Sequence, residues 1–384
     1  MYQEYKNIHM MKSKKSLLAI AAMALFVSCS NEDDKSVNNE FSGIIENSNV
    51  EILLSTGGHT RGSIESDANG LFEAEGLGIF CLAKGKLGLN PDALDITWDL
   101  KSNPYAVWMD NVQSDAKLNE NKTGTDIVWT DSQQRWYPAG NWYSYRFYGY
   151  YPYSENIKAT KTQRIVEYTI DGTQDIIWGK TNVSDDSLAY CAKYFRSEKY
   201  ANVVPSMNFE HKLMRLTFSC IPGKDGNGSI EEALKMGVKS IKITKVPTTA
   251  TMIIADRENV DNEGVIVFDW NNLGEMYLLD SGDQPLGENY WVEADEVKIG
   301  QGVLVPVPTD PDFHYFIEVT LKDKEGREWD LGNPIELENQ SGTFVPGKSY
   351  NVKMTIYGPK TVEVKGSLSQ WEEDDSSIGG VTYE

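Results

Sequence analysis

"WYPAGNWYSYRFYGYYPYSE", residues 136–155, carries ten aromatic side chains in twenty positions. Such density has three physical readings: a platform of rings for sugars or bases, the wall of a catalytic cleft, or the interior of a β-sheet protein. Periodicity separates them. From Tyr143 onward, Tyr143, Tyr145, Phe147 and Tyr151 alternate onto one face of an extended strand, with Trp142, Arg146, Tyr148 and Tyr150 on the other. Bulk on both faces suits a central strand between a core and a covering layer, and Pro152 then stops the ladder. Burying each such side chain contributes roughly 1.5–3 kcal/mol, and tyrosine fits where the ring is inside and the hydroxyl finds a partner. The stretch is expected to be a core strand.

The same period of two dominates beyond residue 48. "VEILLS" (50–55), "GLGIFCLA" (76–83), "RIVEYTI" (164–170), "MRLTFSCI" (214–221), "VKSIKITKV" (238–246), "GVIVFDW" (264–270), "FHYFIEVTLKD" (313–323) and "YNVKMTIYG" (350–358) all read as strands. Turn chemistry separates them, as in "DNEG" (261–264), "SGDQPLGEN" (281–289) and "TDPD" (309–312). Helical pattern is scarce, with room for one short helix in "SIEEALKMG" (229–237). The expectation is an all-β chain of two stacked sandwiches. The seam is placed near "NVVPSMNF" (202–209), dividing residues 48–205 from 206–384.

The charge is strongly acidic, with 36 basic against 57 acidic residues and a net −21. Phosphate binding needs a basic stripe, and none is visible, so nucleic acid is not an expected partner. At the start, "MKSKKSLLAIAAMALFVSCS" (11–30) has basic residues, an apolar run from Leu17 to Val27, and Cys29 after small residues. The run is too short to span a bilayer and reads as a secretion signal. "LFVSC" resembles a lipobox, which makes residues 1–28 a lipoprotein signal peptide and Cys29 the lipidated residue, anchoring the chain in the outer membrane at the cell surface. Polar, acidic residues 29–47 then form a tether. The remaining Cys81, Cys191 and Cys220 have no CxxC spacing and read as buried thiols.

Catalytic signals are poor. His9, His59, His211 and His314 are scattered, and no HExxH, GxSxG or P-loop pattern occurs. "SDAK" (114–117) matches SxxK but reads as a polar loop without partner motifs. His211, on an alternating strand, reads as a hydrogen-bonded structural residue. No enzyme activity, cofactor or metal is expected.

Several stretches in order do resemble a known family: the lipobox, "EILLSTGGHTRG" (51–62), "GLGIFCL" (76–82), "WYPAGNWYSYRFYGYYP" (136–152), "VPSMNFEHKLMRLTF" (204–218), "FVPGKSYNVKMTI" (344–356) and "VKGSLSQWEED" (364–374). Together they look like the fimbrillin (Mfa-like) family, lipoprotein subunits of type V pili. The resemblance implies two tandem transthyretin-like (Greek-key) β-sandwich domains and assembly with other pilus subunits, homo- or heteropolymeric, into adhesive fibres that meet a host or bacterial surface ligand. It implies a cut between Arg61 and Gly62 that displaces a first strand, Val50, Glu51, Ile52, Leu53 and Leu54. It also implies donor-strand exchange, with a donor segment bearing Val362, Val364, Leu368 and Trp371. The acidic tail "EEDDSSIGGVTYE" (372–384) departs from an ideal inserted strand and leaves stalk, tip and anchor roles open. A different reading is a surface glycan-binding lipoprotein of a nutrient-uptake system, with Trp98, Trp108 or Trp129 exposed for stacking.

Overall fold

A computed structural model of the chain describes residues 47–56, 73–86, 96–121, 123–139, 143–181, 190–197, 200–224, 229–287, 290–310, 312–331, 333–337, 344–359 and 361–369. Strands account for nearly all regular structure. They are β1 (Asn47–Glu51), β2 (Ser55–Thr56), β3 (Ala74–Lys86), β4 (Val107–Leu118), β5 (Thr125–Trp129), β6 (Trp136–Pro138), β7 (Tyr143–Tyr151), β8 (Ile157–Ala159), β9 (Gln163–Thr169), β10 (Ile177–Thr181) and β11 (Ser206–His211). There follow β12 (Leu213–Pro222), β13 (Met236–Pro247), β14 (Thr249–Asp256), β15 (Ile266–Phe268), β16 (Leu273–Tyr277), β17 (Val297–Pro306), β18 (Tyr315–Asp323), β19 (Glu328–Asp330), β20 (Ile335–Leu337), β21 (Ser349–Gly358) and β22 (Thr361–Ser369). Two single-turn helices, α1 (Ala192–Phe195) and α2 (Ile230–Ala233), are present among the described residues. The expected helix is α2, started by a capping box between Ser229 and Glu232.

The aromatic stretch is a core strand. β7 lies between β3 and β10, and Tyr143, Tyr145, Phe147, Tyr148 and Tyr150 are all buried on it. Its tyrosine hydroxyls find partners: Tyr145 donates to the Tyr105 carbonyl at 2.7 Å and Tyr150 to Asn111 Oδ1 at 2.7 Å. Gly78 on β3 sits directly under the Tyr150 ring, where an added Cβ would fall 2.1 Å from a ring carbon. Only a residue without a side chain lets ring and strand approach so closely.

β7 belongs to a sheet that closes on itself as a seven-stranded barrel in the order β10-β11-β2-β5-β4-β3-β7. Two further sheets, β17-β12-β21-β22 and β16-β13-β18-β19 with β20 also on β18, are built from the second half of the chain. A fourth, β15-β14-β9-β8, combines strands from both halves. β14 pairs antiparallel with β9, from Thr249 opposite Thr169 to Asp256 opposite Gln163. β11 likewise joins the barrel, so pairing crosses the expected seam at residue 205 at two places. The β14–β15 hairpin is locked there by Glu263, whose carboxylate accepts from the Tyr148 hydroxyl at 2.8 Å and Lys180 Nζ at 2.7 Å. Trp178 adds an indole N–H bond of 2.8 Å to the Ile254 carbonyl. Buried apolar residues of all these sheets form one continuous cluster.

Several expectations need correction. The strand read over 50–55 stops at Glu51 and resumes only at Ser55; between them the backbone makes single bonds, Ile52 N–H to the Arg135 carbonyl and Ile127 N–H to the Leu54 carbonyl, and no continuous ladder. "SDAK" is not loop but part of β4, with Ser114 fully buried and Lys117 ion-paired to Asp115 at 3.2 Å. β4 reads as polar, yet it is hydrogen-bonded to β3 and β5 on both sides, and that ladder outweighs side-chain composition. The run at 264–270 narrows to three residues of β15.

Cys81, Cys191 and Cys220 are buried thiols, and burial pushes each thiol up, Cys220 to about 12. Since the thiolate is the reacting form, iodoacetamide should leave all three unlabelled in the folded protein and label them in urea; rapid native labelling of Cys81 would contradict the packing. Gly78→Ala should lower stability by about 1–3 kcal/mol, the usual cost of overpacking, read as a lower urea midpoint. An unchanged midpoint would mean that the Tyr150 ring does not lie against Gly78.

Candidate functional site: the segment that closes the barrel

Residues 47–56 cross the barrel surface and supply its last strand. Ser55 and Thr56 run parallel to Ser206 and Met207 of β11 and antiparallel to Asp126 and Thr125 of β5. Ahead of them the Leu54 carbonyl accepts from Ile127 N–H at 2.9 Å, and Ile52 N–H donates to the Arg135 carbonyl at 2.7 Å. Ser55 N–H donates to the Pro205 carbonyl at 3.0 Å. Among the described residues, β11 and β5 have no other neighbour on those edges. The closure therefore rests on one short segment.

Its side chains alternate as the strand period requires. Ile52 and Leu54 are buried in the core cluster, Val50 packs against it, and Leu53 points outward, 52% exposed. Upstream, Arg196 just after α1 donates to the Ser48 carbonyl at 2.6 Å and holds the start of the segment. Chemically the arrangement does one thing: it plugs an apolar groove bordered by two sheet edges. Taking it away would bare both edges and the space of two large side chains.

The expected first-strand residues, Val50, Glu51, Ile52, Leu53 and Leu54, thus all lie on the plug. Cys29, Arg61, Gly62 and Trp371 lie outside the described residues. Thr361–Ser369, which includes Val362, Val364 and Leu368, forms β22 and pairs antiparallel with β21 as the last strand of its sheet. Val362 packs against the core. The expected donor segment and the plug lie in different sheets, and no pairing joins them among the described residues.

The tryptophans expected to be exposed are not. Trp98 is buried, donating to the Ala83 carbonyl at 2.8 Å. Trp129 is buried beneath the Arg135 guanidinium. Trp108 is half-buried, stacked on Tyr105 and bonded to the Trp136 carbonyl at 2.7 Å. Packing uses all three structurally, and the indole N–H groups of Trp98 and Trp108 are bonded to backbone. His211 is buried, its Nδ1 2.5 Å from Asp175 Oδ2, and Asp175 also accepts from Ile176 N–H. This pair ties β11 to the start of β10. No metal-binding group of three acidic, His or Cys side chains occurs among the described residues, and no described helix is long and apolar enough to cross a membrane.

Ile52→Ala and Leu54→Ala should each cost about 2–5 kcal/mol, as large-to-small core changes do, while exposed Leu53→Ser should stay within about 0.5 kcal/mol. Chemical denaturation measures all three; equal losses at 53 and 54 would refute the alternation.

A sequence model of the fimbrillin-like family matches residues 90–371, beginning downstream of the plug. Among solved structures, a Bacteroides uniformis protein classed with cell adhesion proteins is 17% identical, covering 84% of this chain and 97% of its own, with a TM-score of 0.48. The fimbrial anchor protein Mfa2 from Porphyromonas gingivalis is 10% identical, covering 83% of this chain and 98% of its own, with a TM-score of 0.34. Likenesses this low carry no weight beside the family match. No curated protein matches the chain. With nearly three-quarters of its length inside the matched span, this chain belongs to the fimbrillin-like family.

Proposed function

We propose that the chain is a structural and adhesive subunit of a cell-surface fibre, brought to the outer membrane by lipid on Cys29 and assembled by strand exchange at its barrel. Family membership supports the fibre role and association with other subunits. The observation that carries the exchange step is the plug: Ile52 and Leu54 enter the core of a barrel that, among the described residues, is closed by 52–56.

A cut between Arg61 and Gly62 leaves the plug held by a few backbone bonds and two buried side chains. Its loss offers β5 and β11 to an incoming strand, which pairs with both edges and refills the core. The donor is the C-terminal segment of another subunit, with Val362, Val364, Leu368 and Trp371 as its apolar residues. The expected domains, 48–205 and 206–384, stay coupled through the β9–β14 pairing, so the barrel opens without the halves separating.

An arginine-specific protease applied to residues 29–384 tests this. The expected result is a new N-terminus at Gly62, release of the plug, and high-mass ladders that collapse on heating. Deleting residues 361–384 should abolish the ladders without preventing the cut. A cleaved chain that keeps its plug and remains monomeric at high concentration would sink the exchange mechanism.

A further inference from the structure

β2 fills the barrel gap with two residues, but the plug begins well before it. Its first half runs along β6. Asn47 lies opposite Pro138 and Glu51 opposite Trp136, and Ile52 N–H donates to the Arg135 carbonyl at 2.7 Å. Among the described residues β6 pairs with no other strand. Departure of the plug therefore bares a third edge besides those of β5 and β11.

Arg196 stands at the far end of that edge. Its Nη2 donates to the Ser48 carbonyl at 2.6 Å, a charge-assisted bond to main chain. Such a bond holds an extended backbone whatever side chain it carries. The support for Arg196 comes from outside the plug. Its own N–H closes the turn of α1 onto the Ala192 carbonyl at 3.1 Å. α1 is fixed in turn by ring stacking, Tyr194 on Tyr200 at 3.9 Å and Phe195 on Tyr137 at 5.2 Å. The β6 edge is held in the same way. The Trp136 carbonyl accepts from the Trp108 indole at 2.7 Å, and the Arg135 side chain pairs with Asp131 at 2.7 Å. Neither set of contacts involves a plug residue, so edge and guanidinium keep their places when the segment goes.

We propose, on the basis of strand exchange as read above, that the receiving surface continues past the barrel gap along β6, and that Arg196 is a positioning residue for the incoming strand. It bonds a main-chain carbonyl of that strand as it bonds the carbonyl of Ser48. The partner is then an extended segment of about ten residues, the length of 47–56, or ~30 Å at strand rise. A shorter segment would fill the places of Ile52 and Leu54 and leave β6 bare. Ser48 is buried, so the position beside Arg196 takes a small side chain. Residues 361–371 of a second copy are long enough to reach it.

The test opens the plug independently of the native cut, with a site for an orthogonal protease inserted after Arg61 in residues 29–384. The probe is a fluorescent peptide of sequence 47–56. A second peptide has an ester in place of the Ser48–Asn49 amide, which weakens the Ser48 carbonyl as an acceptor. Fluorescence anisotropy reads uptake, and hydrogen exchange over 135–137 reads β6. The opened chain should take up the amide peptide saturably, and exchange over 135–137 should slow again in the complex. Arg196→Ala should weaken uptake at least about fivefold, and Arg196→Lys should restore part of the loss. Arg196 is exposed, so both variants keep the fold. The ester should weaken uptake by the parent chain about threefold or more and cost the Arg196→Ala chain nothing further. The proposal is overturned if no peptide enters, if 135–137 stays unprotected in the complex, or if the ester and Arg196→Ala losses simply add. The expected uptake pattern in a chain that never forms ladders would remove fibre assembly by exchange and leave the receiving surface standing.

Discussion

A sheet edge inside a protein must be paired, and the barrel meets that demand at its narrowest point. β2 is two residues long, yet it lies between β11 and β5 and completes the ring. The backbone requirement and the hydrophobic requirement are met by one segment. Ile52 and Leu54 enter the core while the adjoining carbonyl and N–H groups bond β5, Arg135 and Pro205.

A second coupling holds the halves of the molecule together. Glu263, on the turn between β14 and β15, is nearly buried, and a lone carboxylate there would be costly. Tyr148 and Lys180 satisfy it by direct bonds, with Arg146 3.9 Å away. Burial and then the Glu263 charge push the Tyr148 phenol well above its ordinary value, so it stays a donor. Nearby, Gly264 adopts a positive φ of 77° and lies under the Trp178 ring, where a Cβ would meet the indole at 2.4 Å. The hairpin is thereby pinned to the barrel wall.

The sequence by itself determined the all-β class, because period-two alternation is a local property set by strand geometry. It likewise marked β7 as a core strand, the short helix α2 and the buried thiols, each from residues adjacent in the chain. Family membership was legible for the same reason, through ordered local motifs. The tertiary structure alone decided which edges meet. The closure by β2, the passage of β14 across to β9, and the identity of polar β4 as a central strand all depend on hydrogen bonds between distant residues. Exposure was hidden for the same reason. Tryptophans 98, 108 and 129 look alike in sequence, and only the packing around them buries two and half-buries and bonds the third, because burial belongs to neighbours that the chain brings together only when it folds.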